Sequence, residues 1–197
     1  MIASNPLEGE RVPGTVGYAL PDVTIRICDN QNQPVAAGET GVLQMQGPNV
    51  FKGYWQMPEK TAREFTDDDF FISGDMARMD EHGRIQIVGR EKDLVISGGL
   101  NIYPKEIEEA IDALDGVSET AIIGVPHADL GEGLVAVICP KAGFKIEPEA
   151  MIPTLKRRLA GFKVPRKIFT VDSLPRNTMG KVQKNVLREQ FANAFDP

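Results

Sequence analysis

Lys181 is the side chain best placed to do chemistry. It follows Gly180 in the stretch Leu174-Pro175-Arg176-Asn177-Thr178-Met179-Gly180-Lys181, between a strand-like run at 167–171 and a helical pattern from Lys184 to Phe195. Pro175 restrains the chain on entry, whereas Gly180 opens backbone angles closed to other residues. Lys181 then presents a compact, mobile cation suited to a phosphate or a carboxylate. A Gly-Lys turn is equally the composition of a solvated surface loop, so its meaning rests on what lies upstream.

Upstream there are several stretches of the same kind. Ser73-Gly74-Asp75 closes an apolar run and is expected on a tight turn at a strand end. A carboxylate there can accept hydrogen bonds from a sugar diol, or simply cap the turn. Gly89-Arg90-Glu91-Lys92-Asp93 sets mixed charge between two strands, the composition of a wet turn and also of a hinge. Ser97-Gly98-Gly99 lets the backbone approach a ligand closely, or makes a hairpin. The basic residues Lys156, Arg157 and Arg158, with Lys163, Arg166 and Lys167, read as a solvated face or as contacts for phosphates.

Composition removes other classes. Hydrophobic residues make up 42% and charged ones 25%, the balance of a soluble globular protein. A net charge of -6 argues against a general nucleic-acid partner, whose footprint would be basic. Cys28 and Cys139 sit in apolar runs and read as buried free thiols. With His82 and His127 the only histidines, no metal site is expected. No apolar run approaches the ~20 residues that span a bilayer, and residues 1–6 lack the regions of a signal peptide. A cytoplasmic location without a membrane partner is therefore expected.

The elements that must position these residues divide at Lys92-Asp93. Residues 1–20 are irregular and rich in Gly and Pro; strands follow at 23–28 and 41–47, then a loop pinned by aromatics and a short helix at 58–65. A hairpin turns at 80–83. Short strands with Gly and Pro punctuation predict a small antiparallel barrel or sandwich over 1–92. From Tyr103 the period becomes helical: Pro104 suits a first turn, Ile107, Ala110, Ile111 and Leu114 share one face, and Gly116 fits a C-cap. Strands are predicted at 117–125 and 133–139, a helix at 148–160 despite Pro153, a strand at 167–171 and a terminal helix at 184–195. The fold class is α+β: an antiparallel β subdomain, then a compact α+β domain over 93–197 with a short sheet covered by helices.

Taken in order, these stretches resemble the AMP-forming acyl-CoA synthetases of the adenylate-forming superfamily. The resemblance rests on Gly53-Tyr54-Trp55 with Pro58-Glu59 and Thr61, on Ser73-Gly74-Asp75, and on Gly89-Arg90-x-Lys92-Asp93. Ser97-Gly98-Gly99 with Pro104 and Glu106-Ile107-Glu108, residues 159–165 and residues 175–181 complete it. Within the superfamily the chain looks most like malonyl-CoA synthetases. This implies an acid–thiol ligase that uses ATP, Mg2+ and CoA on malonate or a related small carboxylic acid. It implies further that Asp75 binds the ribose hydroxyls of the nucleotide and Arg90 supports it, that Lys92 is the hinge of a mobile C-terminal domain, and that Ser97, Gly98 and Gly99 meet CoA. Lys181 matches the lysine that bridges carboxylate and α-phosphate during adenylation.

The family's Ser/Thr/Gly-rich phosphate loop is not found in this chain. The resemblance therefore implies the end of the large domain over 1–92 followed by the C-terminal domain, with no thioester-forming activity expected of these residues alone. Two alternatives stay open: Lys181 as the acetylation target of a protein lysine acetyltransferase, and an adenylation domain serving a carrier protein.

Overall fold

The computed structural model describes residues 1–196 of the chain, which forms two compact units, Met1–Lys92 and Asp93–Pro197. The first contains β1 (Ala3–Ser4), β2 (Tyr18–Ala19), β3 (Thr24–Cys28), β4 (Thr40–Gln46), α1 (Pro58–Glu64), β5 (Phe71–Met79) and β6 (Ile85–Arg90). β1 and β2 form a small ribbon, and β3-β4-β5-β6 an antiparallel sheet. Among the described residues that sheet is open, with β3 and β6 at its edges, so the expected barrel or sandwich does not close. One face carries the core: Ile27, Leu43, Met45, Ala77 and Ile85 are buried together. The alternation that produces this face follows from the two-residue period of a strand.

A polar contact lies within this apolar setting. Gln44 is fully buried, yet its amide donates to Asn32 Oδ1 at 2.6 Å and its carbonyl accepts from Arg26 Nε at 2.8 Å. Arg26 also pairs with Asp68 at 2.6 Å and lies over the Phe70 ring at 3.8 Å. Bonds from Arg26 and Thr66 hold the Asp68 carboxyl down to about 2. The stretch at 51–61 is pinned as its residue types suggest. Phe51 meets Tyr54, Phe65 and Phe71 edge-on, and Thr61 Oγ1 accepts from Tyr54 N at 2.9 Å. Gly53 leaves room for that threonine, since a Cβ there would lie 2.7 Å from Thr61 Cγ2.

The second unit contains β7 (Val95–Ser97), β8 (Leu100–Ile102), α2 (Pro104–Asp112), β9 (Val117–His127), β10 (Gly131–Pro140), α3 (Pro148–Arg158), β11 (Lys167–Thr170) and α4 (Lys184–Gln190). β9 and β10 are near-continuous apolar runs, and the sheet buries both of their faces. Ile122, Leu134, Ala136 and Ile138 face Ile107 and Ile111 of α2 and Leu155 of α3. Ala121, Ile123, Val125, Val135 and Val137 face Leu174 and Leu187 of α4. Helices on both sides of a sheet are what such two-sided strands require. β10 pairs antiparallel with β9 and parallel with β11, the latter connection crossing over through α3.

Several boundaries differ from the sequence expectation: β9 runs on to His127 and β10 begins at Gly131, beyond the predicted 117–125 and 133–139. α2 ends with Ala113 as its C-cap, and Gly116 instead forms a left-handed turn, φ 82°, packed under the Phe144 ring. α3 stops at Arg158 although Pro153 lies within it. α4 stops at Gln190, after which turns bring Phe195 onto His127 and over Gly133, whose missing side chain leaves space for the ring.

Two stability outcomes follow. Leu155→Ala, at a fully buried position, should lower unfolding free energy by ~2–5 kcal/mol, and Ile96→Ala, at a half-exposed one, by less than ~0.5, in denaturant titrations. Asp68 has a folded pKa below its unfolded value of ~3.9, so its contribution is full above that value and disappears as pH falls through about 2. Asp68→Asn should flatten the acid arm of the stability curve over that window, and an unchanged arm would contradict the Arg26 pairing.

Candidate functional site

Asp75 owes its position to a break in a ladder. β4 and β5 pair at Val42↔Met76 and again at Gln44↔Ile72, so Ser73, Gly74 and Asp75 together oppose Leu43. Gly74 takes φ 67° in this bulge, a left-handed angle that glycine adopts without steric penalty. Ser73 Oγ donates to the Leu43 carbonyl at 2.8 Å and accepts from Asp75 N at 3.0 Å, replacing bonds the ladder loses. Bulges re-aim side chains in this way. The tripeptide thus lies inside β5 and not on a turn at its end, contrary to the sequence expectation. The adjacent β5–β6 pairing sets Asp75 directly across from Arg90, and Arg90 Nε meets Asp75 Oδ1 at 2.7 Å. Gly89 and Arg90 accordingly belong to β6, while the charged run continues as a single 3-10 turn, Glu91–Asp93, with Lys92 exposed.

In the second unit Gly98 and Gly99 form the two-residue turn between β7 and β8, with φ 58° and 79°. Positive angles at both positions mark the tight hairpin turn compatible with strand twist. Cβ atoms would meet only Leu130 Cδ2 at 3.4 Å from Gly98 and nothing within 4 Å from Gly99, so conformation and not crowding explains glycine here. Beside the turn lies a groove of about 580 Å³ lined by Ser97, Gly98, Leu100, Lys156, Phe162 and Arg166, among others. The basic cluster is divided: Lys156 and Arg166 reach this groove, whereas Lys163 pairs with Glu106 at 2.6 Å and Arg157 bonds Thr154.

The Lys181 loop is a closed structure with an exposed tip. Arg176 and Val182 face each other across it, and Gln183 N donates to the Pro175 carbonyl at 2.8 Å. Gly180 takes φ 78°. Arg176 donates to the Gly180 carbonyl at 2.6 Å and pairs with Glu119 of β9. Lys184, opening α4, pairs with Glu108 of α2 at 2.6 Å, and the same carboxylate accepts from Ile122 N of β9 at 2.8 Å. Both members of that pair are largely shielded, at 15% and 17% exposure. Among the described residues no carboxylate pairs with Lys181 Nζ. Asn177, Arg176, Glu119 and Glu108 were not singled out as site residues by sequence reasoning. The carboxylates lie 57 and 76 residues from their partners (176 − 119 and 184 − 108), beyond any local pattern.

Other candidates are structural. Cys28 and Cys139 are buried free thiols whose pKa burial pushes up. His127 packs on Phe195 and accepts from Asp129 N. Among the described residues no three His, Cys, Asp or Glu side chains gather as a metal site, and no helix is long and apolar enough to cross a membrane.

Known proteins are similar to this chain over most of its length. Residues 1–55 match the AMP-binding enzyme family, and residues 106–181 match the AMP-binding enzyme C-terminal domain. ATP-bound MatB from Rhodopseudomonas palustris superposes with a TM-score of 0.92 at 54% identity over 100% of this chain and 39% of its own. o-Succinylbenzoate CoA synthetase (MenE) from Bacillus subtilis, in complex with its acyl-adenylate, superposes at 0.84 with 30% identity, over 89% of this chain and 35% of its own. A 3-[(3aS,4S,7aS)-7a-methyl-1,5-dioxo-octahydro-1H-inden-4-yl]propanoyl:CoA ligase from Rhodococcus jostii is 43% identical over 91% of this chain and 33% of its own length. The chain thus spans 33% to 39% of the length of these relatives. The matches at 1–55 and 106–181 place the chain in the AMP-binding enzyme family, whose C-terminal domain it includes.

Proposed function

We propose that the chain is the C-terminal part of an ATP-dependent, AMP-forming acyl-CoA synthetase that acts on malonate or a related small acid. What carries the reading is the Lys181 loop, where a cation is fixed at its backbone and unengaged at its tip. In the first half-reaction a carboxylate oxygen attacks the α-phosphorus of ATP, forming a P–O bond as the bond to pyrophosphate breaks. Negative charge spreads over the phosphoryl oxygens, and an ammonium placed there stabilises it more than it stabilises the ground state. Lys181 supplies that ammonium. In the second half-reaction the CoA sulfur attacks the acyl carbon, and AMP leaves.

The remaining residues take supporting roles. Asp75 accepts hydrogen bonds from the ribose diol, oriented by the Arg90 fork across the β5–β6 pair. Lys92, in the turn between the two units, is the hinge. Arg188 of α4 reaches the neighbouring Asp93 at 3.4 Å and ties the first residue of the second unit to its body. Ser97, Gly98 and Gly99 meet the CoA arm, and the adjoining groove offers Lys156 and Arg166 to its phosphates. Malonate is favoured because identity to MatB, 54%, exceeds that to feruloyl-CoA synthase, 41%, and the chain resembles malonyl-CoA synthetases in its motifs.

In the full-length protein, Lys181→Ala should slow malonate-dependent ATP–pyrophosphate exchange by ~10²–10³-fold. Asp75→Asn should instead raise the KM for ATP. Exchange at the parental rate in the lysine variant would defeat the assignment, and preference for ferulate over malonate would defeat the substrate.

A further inference from the structure

The backbone of Lys181 is held by a single residue. Asn177 N donates to the Lys181 carbonyl at 2.9 Å, and Asn177 Oδ1 accepts from Lys181 N at 2.9 Å. Both main-chain polar groups of the lysine therefore bond to Asn177. The same Oδ1 accepts from Met179 N at 3.0 Å, and the Asn177 carbonyl accepts from Gly180 N at 2.9 Å. A side-chain carbonyl that takes two amides at once gives the turn a geometry its main chain alone would not fix.

The loop is in turn strapped to the sheet on both sides of the lysine. Among the described residues β9 pairs with β10 alone, so its outer edge carries backbone groups outside any ladder. Glu108 satisfies the Ile122 amide on that edge and holds Lys184, while Glu119 on β9 holds Arg176, whose other arm bonds Gly180. Lys181 sits between these two anchors. Its Cα is fixed through Asn177 and the straps, and its aliphatic stem alone carries the mobility.

We propose that Asn177 is a positioning residue for Lys181, converting an exposed loop into a rigid mount that delivers the ammonium to one place. The proposal rests on the reading of Lys181 as the adenylation lysine. Asn177 is itself exposed, so its loss leaves the core intact and acts through the loop. Misplacement of a catalytic group by an ångström costs up to ~10²-fold in rate.

The test has an arm that needs no activity. In the 197-residue chain, Asn177→Ala should raise amide hydrogen exchange at Met179 and Lys181 by roughly tenfold or more, and Asn177→Asp, which keeps the acceptor, should restore protection. In the full-length protein, Asn177→Ala should lower kcat for malonate-dependent ATP–pyrophosphate exchange by ~10–100-fold, leave the KM for ATP within about twofold, and spare thioester formation from preformed malonyl-adenylate. Asn177→Asp should recover most of the rate. Added to Lys181→Ala, Asn177→Ala should cause no further loss. A further loss on that background, a parental kcat for Asn177→Ala, or no recovery in the aspartate variant overturns the proposal. A parental rate for Lys181→Ala would sink the lysine's assignment instead, and the exchange data tell that failure apart from failure of the mount.

Discussion

Burial of both faces of β9 and β10 is the constraint from which the second unit follows. Alternate residues of each strand enter opposite cores, so one face demands α2 and α3 and the other demands α4 with Leu174. Once helices occupy both faces, the polar groups of the sheet can emerge only at its edges. The outer edge of β9 is one of these, and two carboxylates meet it. Glu108 reaches it from α2 and Glu119 stands on the strand itself. Each then binds a cation from the segment that carries Lys181. Covering the edge and mounting the lysine are thus one arrangement, and the shielded Glu108–Lys184 pair contributes to both.

The first unit reaches a comparable result by a different route. Its sheet is regular except where three residues of β5 face one of β4. An unbroken ladder would alternate Ser73 and Asp75 on the same side as their i+2 neighbours and leave Asp75 no freedom of aim. The bulge breaks that alternation, and Ser73 keeps its neighbours' backbone groups satisfied while it does so. The hairpin register then supplies Arg90 across the strand pair. The three residue types in Ser73-Gly74-Asp75 correspond to three needs: a short hydroxyl to bond the orphaned carbonyl, a residue at ease at φ 67°, and the carboxylate itself.

Elements with strong periodicity were legible in the sequence, because their burial is set by local spacing. Ile107 and Ile111 mark the buried face of α2, and the runs at 117–125 and 133–139 mark β9 and β10 as strands of a sheet covered by helices. The candidate site residues stand out in the sequence as types in order, through motif spacing. Their setting was not. Ser73-Gly74-Asp75 reads as a strand end because turn residues end most strands, and only pairing with Leu43 makes it a bulge. Gly89-Arg90 reads as a wet turn because its charge hides its pairing with Met76 and Asp75. α4 reads as longer because Phe191 and Phe195 continue its apolar period, whereas packing of Phe195 against His127 and Gly133 draws the chain out of the helix.

Exposure alone would have left Lys181 indistinguishable from other surface lysines. The difference lies in where its conformational freedom resides. A lysine on an unstructured loop loses both backbone and side-chain entropy when it engages a phosphate, of the order of 1–2 kcal/mol for each backbone residue fixed. Here the backbone share of that loss is already met on folding, through bonds from Asn177 to both polar groups of the lysine and through ion pairs on either side. On the proposed reading of Lys181, only the side-chain share is left to be lost on engaging a phosphate. The Asp75–Arg90 pair joins two residues of the first unit, and the Lys181 mount is built from residues of the second.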